Sequence, residues 1–263
     1  MKALLSTTYF GPVQWYQKLH RSEEVQIEQW ESFQKQTYRN RCLIATTQGI
    51  QALTVPVERK FTVHGLQFTD DYSEVSSAGK EGLASKSSVN CKLSTVNQIK
   101  DIRISDHGNW RHLHWNALMS AYGESPFFEY YQDDIRPFFE KRWDYLLDFN
   151  EAIRCKMCEL LDIQPKVSFT EKFTVNGSQF TDDYSAAADK EGLASKSTVN
   201  RQLSTVNQIQ DFREAINPKH PQPDPNFEPK PYYQVYAAKH GFLANLSVLD
   251  LLFNMGPEGI FYL

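Results

Sequence analysis

In the stretch "YRNR" two arginines, Arg39 and Arg41, stand two residues apart just before a predicted strand. Alternation along a strand aims both guanidiniums to one face and leaves Asn40 on the other. Two planar forks on one face suit a phosphate or carboxylate, which each fork can grip through paired N–H donors. The plainer alternative is a pair of strand-edge charges. A second stretch, "DHGNWRHLHW", supplies Asp106, His107, Trp110, Arg111, His112 and His114 at the start of a predicted helix. It makes a poor metal site, because His112 and His114 diverge by roughly 200° on one helix and only the loop residue His107 could join either. As a helix N-terminus flanked by Asp106, Trp110 and Arg111, it reads as a polar wall that holds an anion and stacks a ring.

Two side chains are candidate catalytic groups. Asp106 is one; the other is His220 in "NPKHP", because an imidazole titrates near neutrality, although an ordinary surface histidine fits the same letters. Tyr9, with Phe10, Trp15 and Tyr16, floors a sugar pocket or packs as an apolar cluster under a sheet. The candidate substrate-binding set is therefore Tyr9, Arg39, Asn40, Arg41, Trp110, Arg111 and His114. "CKMC" gives Cys155 and Cys158 the redox spacing, but in mid-helix on an apolar stripe, which predicts two packed core thiols. No phosphate-binding glycine loop, nucleophile elbow, HExxH or Asp-x-Asp is present, so neither a metal nor a cofactor is expected.

These groups need elements to position them. "ALLST" predicts a buried strand and "YFGPVQWYQKL" a turn into a helix, while "RCLIATTQGIQALTVPV" predicts a hairpin whose three-residue loop uses Gly49 at positive φ. Asn109 is placed to cap "WRHLHWNALMSAY", Pro126 to start "FFEYYQDDIR", and Trp143, Leu146, Leu147, Ile153, Met157, Leu160 and Leu161 form one helical stripe. A proline-rich linker then leads to a strand, "YYQVY", and a helix, "SVLDLLFNM", with Ser247 and Asp250 at capping-box spacing. Strands mixed with helices predict an α/β domain.

A chain of 263 residues with 41% hydrophobic content can bury a substantial core, and a net charge of −4 offers no basic footprint for nucleic acid. The opening "MKALLST" is too short an apolar run for a signal peptide or a spanning helix, and four cysteines fit a reducing compartment. The expectation is a cytoplasmic protein without a membrane span.

One segment occurs twice. Residues 60–73 and 80–103 repeat as 172–185 and 190–213 with 31 of 38 aligned positions identical, polar letters included, which marks recent copying. "KFTVNGSQF" reads as a hairpin around Asn176 and Gly177, and the letters after "EGLASKS" read as a modest helix or a polar loop.

The flanks carry a resemblance. "STTYFGPVQWYQKL", "FQKQTYRNRCLIATTQGIQALTVPV", "DIRISDHGNWRHLHWNALMSAYGESPFFEYY" and "LSVLDLLFNMGPE" resemble, in this order, successive blocks of the WbqC-like protein family. The likeness covers roughly 4–58, 100–168 and 211–263. It implies a single mixed α/β host domain (1–59, 100–171, 211–263) with two inserted segments, 60–99 and 172–210. Lengthening a loop tenfold costs only about 2 kcal/mol of closure entropy, so such a host can carry both. The resemblance also implies a role in surface-polysaccharide (O-antigen) synthesis, as a transferase that attaches glycine to a sugar. An activated sugar or sugar nucleotide would be the ligand and other glycan-pathway proteins the partners. A non-catalytic glycan- or synthase-binding protein, or an interaction module dominated by the copies, are the other readings. Because no cluster of four Cys or His ligands has workable spacing, elemental analysis should find no stoichiometric structural metal. One zinc per chain would overturn that expectation.

Overall fold

The computed structural model describes residues 1–58, 98–175, 178–179, 209–219 and 221–263. Strand β1 (Lys2–Ser6) is buried on both faces at Ala3, Leu4 and Leu5, which is why its letters read as an unbroken apolar run. It pairs in parallel with β2 (Glu24–Glu28) on one side, and β2 pairs in parallel with β5 (Val167–Phe169). On the other side of β1 lies β8 (Ile209–Asp211), giving the order β5-β2-β1-β8. A separate antiparallel hairpin joins β3 (Arg41–Thr46) to β4 (Gly49–Thr54). Gly49 takes φ 106° as expected, but the pairing closes at Thr46 and Gly49, one residue tighter than a three-residue loop. In the second copy β6 (Thr174–Val175) pairs antiparallel with β7 (Ser178–Gln179), the predicted hairpin; residues 180–208 of that copy and 59–97 of the first lie outside the described residues.

Helices cover these sheets. α1 (Val13–Arg21) follows β1 and is almost wholly buried, with the Trp15 indole donating to the Ser6 carbonyl at 2.9 Å. α2 (Trp110–Tyr122), α3 (Phe128–Ile135), α4 (Pro137–Glu140) and α5 (Leu146–Leu160) build the middle of the chain. A short α6 (Ala237–His240) precedes α7 (Val248–Met255), which is apolar nearly all round and buried accordingly. The α5 stripe packs as predicted at Leu146, Leu147, Ile153, Met157 and Leu161. Cys158 joins it, whereas Cys155 is exposed beside Arg154 and Glu151, so only one thiol is a core thiol.

Other expectations change. "YYQVY" keeps its alternation, with Tyr232 and Gln234 buried and Tyr233 exposed, yet it forms no strand. Its inward side chains bond Asp250, and among the described residues no neighbouring strand offers a ladder. Asn109 precedes α2 in the left-handed conformation, φ 49°, and its side chain caps nothing. Ser247 does cap α7, accepting from the Leu249 amide, but Asp250 turns into the core and leaves the capping box half made. The proline-rich linker is pinned at Asp224, which meets Lys18 at 2.8 Å with both side chains buried.

The ends of both copied stretches pack against the flanking elements. Ile99 is fully buried and its amide donates to the Glu31 carbonyl, while Ile209 and Gln210 pair with β1. Replacing only 60–96 and 182–207 by short Gly/Ser linkers should therefore keep a single cooperative melt. Aggregation, or loss of the near-UV signal, would make the copies integral to the core.

Candidate functional site

A surface groove of about 340 Å³ opens where the N-terminal half of α2 meets α3 and α4. The chain enters it through a turn with Gly108 at φ 81° and Asn109 at φ 49°, which brings Asp106 back against the first turn of α2. There the Arg111 guanidinium donates to Asp106 at 2.5 Å, and Arg142 stands 3.6 Å from the other carboxylate oxygen. The Arg111 hydrogen bond holds the Asp106 carboxyl below its usual range. A carboxylate kept ionised in this way is a weak proton acceptor. Arg136 adds a third guanidinium, paired with Glu140 at 2.6 Å. Trp115 and Phe139, with ring centroids 5.8 Å apart, supply an apolar surface. Three guanidiniums against two carboxylates leave the groove net positive.

Trp110 stands behind the groove. It is buried, donates its indole N–H to the Ser105 carbonyl at 3.0 Å, and carries the Arg111 guanidinium 4.7 Å above its ring. That stacking fixes the arginine, and two of its nitrogens, Nε and Nη2, have no hydrogen-bond partner among the described residues. Of the residues expected from sequence, Asp106 and Arg111 line the groove and Trp110 supports it. Arg136, Arg142, Trp115 and Phe139 were missed; for all but Trp115, which ends "WRHLHW", the signal lay in "RPFFEKRW", where arginines bracket an aromatic pair, but only the packing of α4 on α2 brings them here.

The other candidates lie elsewhere. Tyr9 and His114 are buried together, the phenol 2.9 Å from Nδ1, with Phe149 stacked on Tyr9 and Trp110 edge-on to the imidazole. Burial pulls the His114 pKa down to about 4 against a hydrogen bond to the Thr54 backbone, so the ring is neutral and structural. Asn40 donates to the Val55 carbonyl. Arg41 bonds the Thr54 hydroxyl, and Arg39 grips Glu31 through two nitrogens, at 2.8 and 2.5 Å. The two arginines do not share a face because only Arg41 belongs to β3. His220 lies outside the described residues.

Open α/β sheets usually bind ligands at the carboxyl edge where strand order reverses, here between β1 and β8. In this chain that crevice, among Ser6, Thr8, Tyr38, Arg39 and Arg213, shrinks to a void of about 10 Å³, room for a single water. Cys158 has its thiol pushed up to about 11 by burial, which removes the redox reading of "CKMC". Among the described residues no group of three or more His, Cys, Asp or Glu side chains could hold a metal ion, and no helix is long and apolar enough to cross a membrane.

Fold and groove together define an α/β protein whose parallel sheet is sealed at its usual ligand edge and whose cationic groove lies on a helical flank. The WbqC-like protein family matches residues 7–77 and 80–262, and the chain belongs to that family. The match runs through the copied stretches as well as the flanks. No curated protein and no solved structure matches the chain.

The buried histidine makes a prediction. A folded-state pKa near 4 against about 6.5 unfolded means the native state binds fewer protons between those values. Stability is then full above pH 6.5 and falls by up to about 3 kcal/mol as the pH drops towards 4. Urea midpoints of wild type and His114→Gln across pH 7.5 to 4.5 test this; identical pH slopes in the two proteins would refute it.

Proposed function

We propose that the protein is a transferase of bacterial surface-polysaccharide synthesis. Its ligand is an activated sugar whose phosphate is gripped by Arg111, Arg136 and Arg142 and whose ring rests on Trp115 and Phe139. The observation that carries this reading is the three-guanidinium groove with an aromatic floor, chemistry suited to a sugar joined to an anionic leaving group. Membership of the WbqC-like family supports the pathway, and with it the O-antigen context, transfer of glycine to a sugar and a cytoplasmic setting. The groove supports the phosphate part alone. Where the activated sugar is itself the group transferred, an acceptor oxygen bonds its anomeric carbon as the bond to the phosphate breaks, and the arginines would neutralise charge on that departing phosphate; in a glycine transfer they would only anchor the sugar's phosphate. Arg111, held over Trp110 and against Asp106, is pre-positioned for either part.

One observation favours a second reading, a non-catalytic binding partner of the same pathway. Asp106, one of the two expected catalytic groups, is held ionised by its arginine partners, which makes it a weak base. Turnover separates the two: incubation with labelled sugar nucleotide or labelled glycine yields product in the first case and only a complex in the second.

Calorimetry with UDP-glucose tests the site itself. Arg142→Glu, at an exposed position, should weaken binding tenfold or more, about 1.4 kcal/mol, and added salt should weaken it further. Unchanged affinity in that variant would remove the groove from consideration.

A further inference from the structure

A second groove, of about 680 Å³, runs between the β3–β4 hairpin and the C-terminal half of α2. Its volume falls within the roughly 300–1,000 Å³ typical of ligand pockets. Its chemistry is the opposite of the first. Of the nine residues lining the arginine groove five are charged, whereas none of the ten lining this one is, in a chain whose charged fraction is 23%. Thr46, Thr47, Gln48, Gln51, Asn116 and Ser120 present hydroxyls and amides, and Ile50 with three alanines gives an apolar strip. Among the described residues the side chains of Thr47, Gln48, Gln51 and Ser120 make no hydrogen bond.

Hydroxyl and amide groups both donate and accept, as sugar hydroxyls do. A charged ligand would lose water here and find no countercharge. The walls are also braced from outside. Lys239 and His240 reach the Thr47 carbonyl at 2.6 and 3.3 Å, and the Tyr236 hydroxyl donates to the Ala121 carbonyl at 2.9 Å. The two grooves adjoin on one helix: His112 lines the first, Asn116 the second, and their side chains hydrogen-bond at 2.9 Å across a single turn.

We propose that this groove is a subsite for a neutral saccharide, the acceptor that meets the activated sugar held one helical turn away. The acceptor role rests on the function proposed above, but saccharide binding does not. Lactose, maltose and N,N′-diacetylchitobiose are offered to the full-length protein and followed by saturation-transfer NMR, with UDP-glucose titrated in parallel. At least one disaccharide should bind saturably. Ser120→Trp, which fills the groove from an exposed position, and Gln51→Ala, at an exposed position of β4, should each weaken it fivefold or more while UDP-glucose affinity stays the same. Failure of all three disaccharides to bind, or binding that survives both substitutions, would overturn the subsite. If a disaccharide binds and UDP-glucose does not, the subsite stands and the activated-sugar reading falls.

Discussion

The ion pair of Arg39 with Glu31 organises the molecule. Both side chains are buried, 5% and 7% exposed, and the guanidinium also donates to the Ser6 hydroxyl at 2.9 Å, at the carboxyl end of the central strand. A buried pair of this kind contributes little net stability, but removing one partner leaves an uncompensated charge and costs about 3–5 kcal/mol. Its effect is therefore geometric. The neighbouring backbone is drawn into the same hub: Tyr9 donates to the Tyr38 carbonyl, Asn150 from α5 to the Arg39 carbonyl, and Asn40 exchanges bonds with Val55 beyond β4. Sheet, hairpin and long helix are tied at one four-residue turn.

With that edge sealed, the larger grooves among the described residues lie elsewhere. With Arg39 committed to Glu31 and Arg213 to Asp211, the crevice between β1 and β8 has, among the described residues, neither a free guanidinium nor room for more than a water. Helix α2 takes over the outward role because its two faces differ. Trp110, His114, Leu118 and Tyr122 point into the core, while His112, Asn116 and Ser120 recur every four residues along the surface. The charged groove sits at the start of that outer row and the neutral groove at its end.

Much of the scaffold was legible because local pattern and tertiary fate agree. The apolar run of β1, the glycine of the hairpin, the α5 stripe and the Ser247 cap all fall where their letters place them. The site was legible only in part. Glu31 lies eight residues before Arg39 and in no common element, so no spacing rule links them, and the "YRNR" arginines read as ligand-binding until their partners are known. Tertiary context also decides the fate of identical letters. "NQI" of the first copy ends in a 3-10 turn, Ile99–Asp101, whose amide meets Glu31, whereas the same Ile in the second copy opens β8 against the free edge of β1.

Asp250 shows how the last block of the family resemblance reaches the surface. Its carboxylate, fully buried, accepts from the Tyr122 and Tyr232 hydroxyls at 2.9 and 2.7 Å and from the Gln234 amide at 2.8 Å. Burial raises its pKa while the three donors act against that rise. Without the carboxylate, three buried donors would lose their acceptor, at about 1–3 kcal/mol each. Two of those donors belong to the segment that continues through Tyr236, Lys239 and His240 to the hairpin tip. The third, Tyr122, also receives the Ala45 amide of β3 and ends α2. A core acid in α7 thus fixes both walls of the neutral groove, and the groove's shape follows from a residue that never faces it.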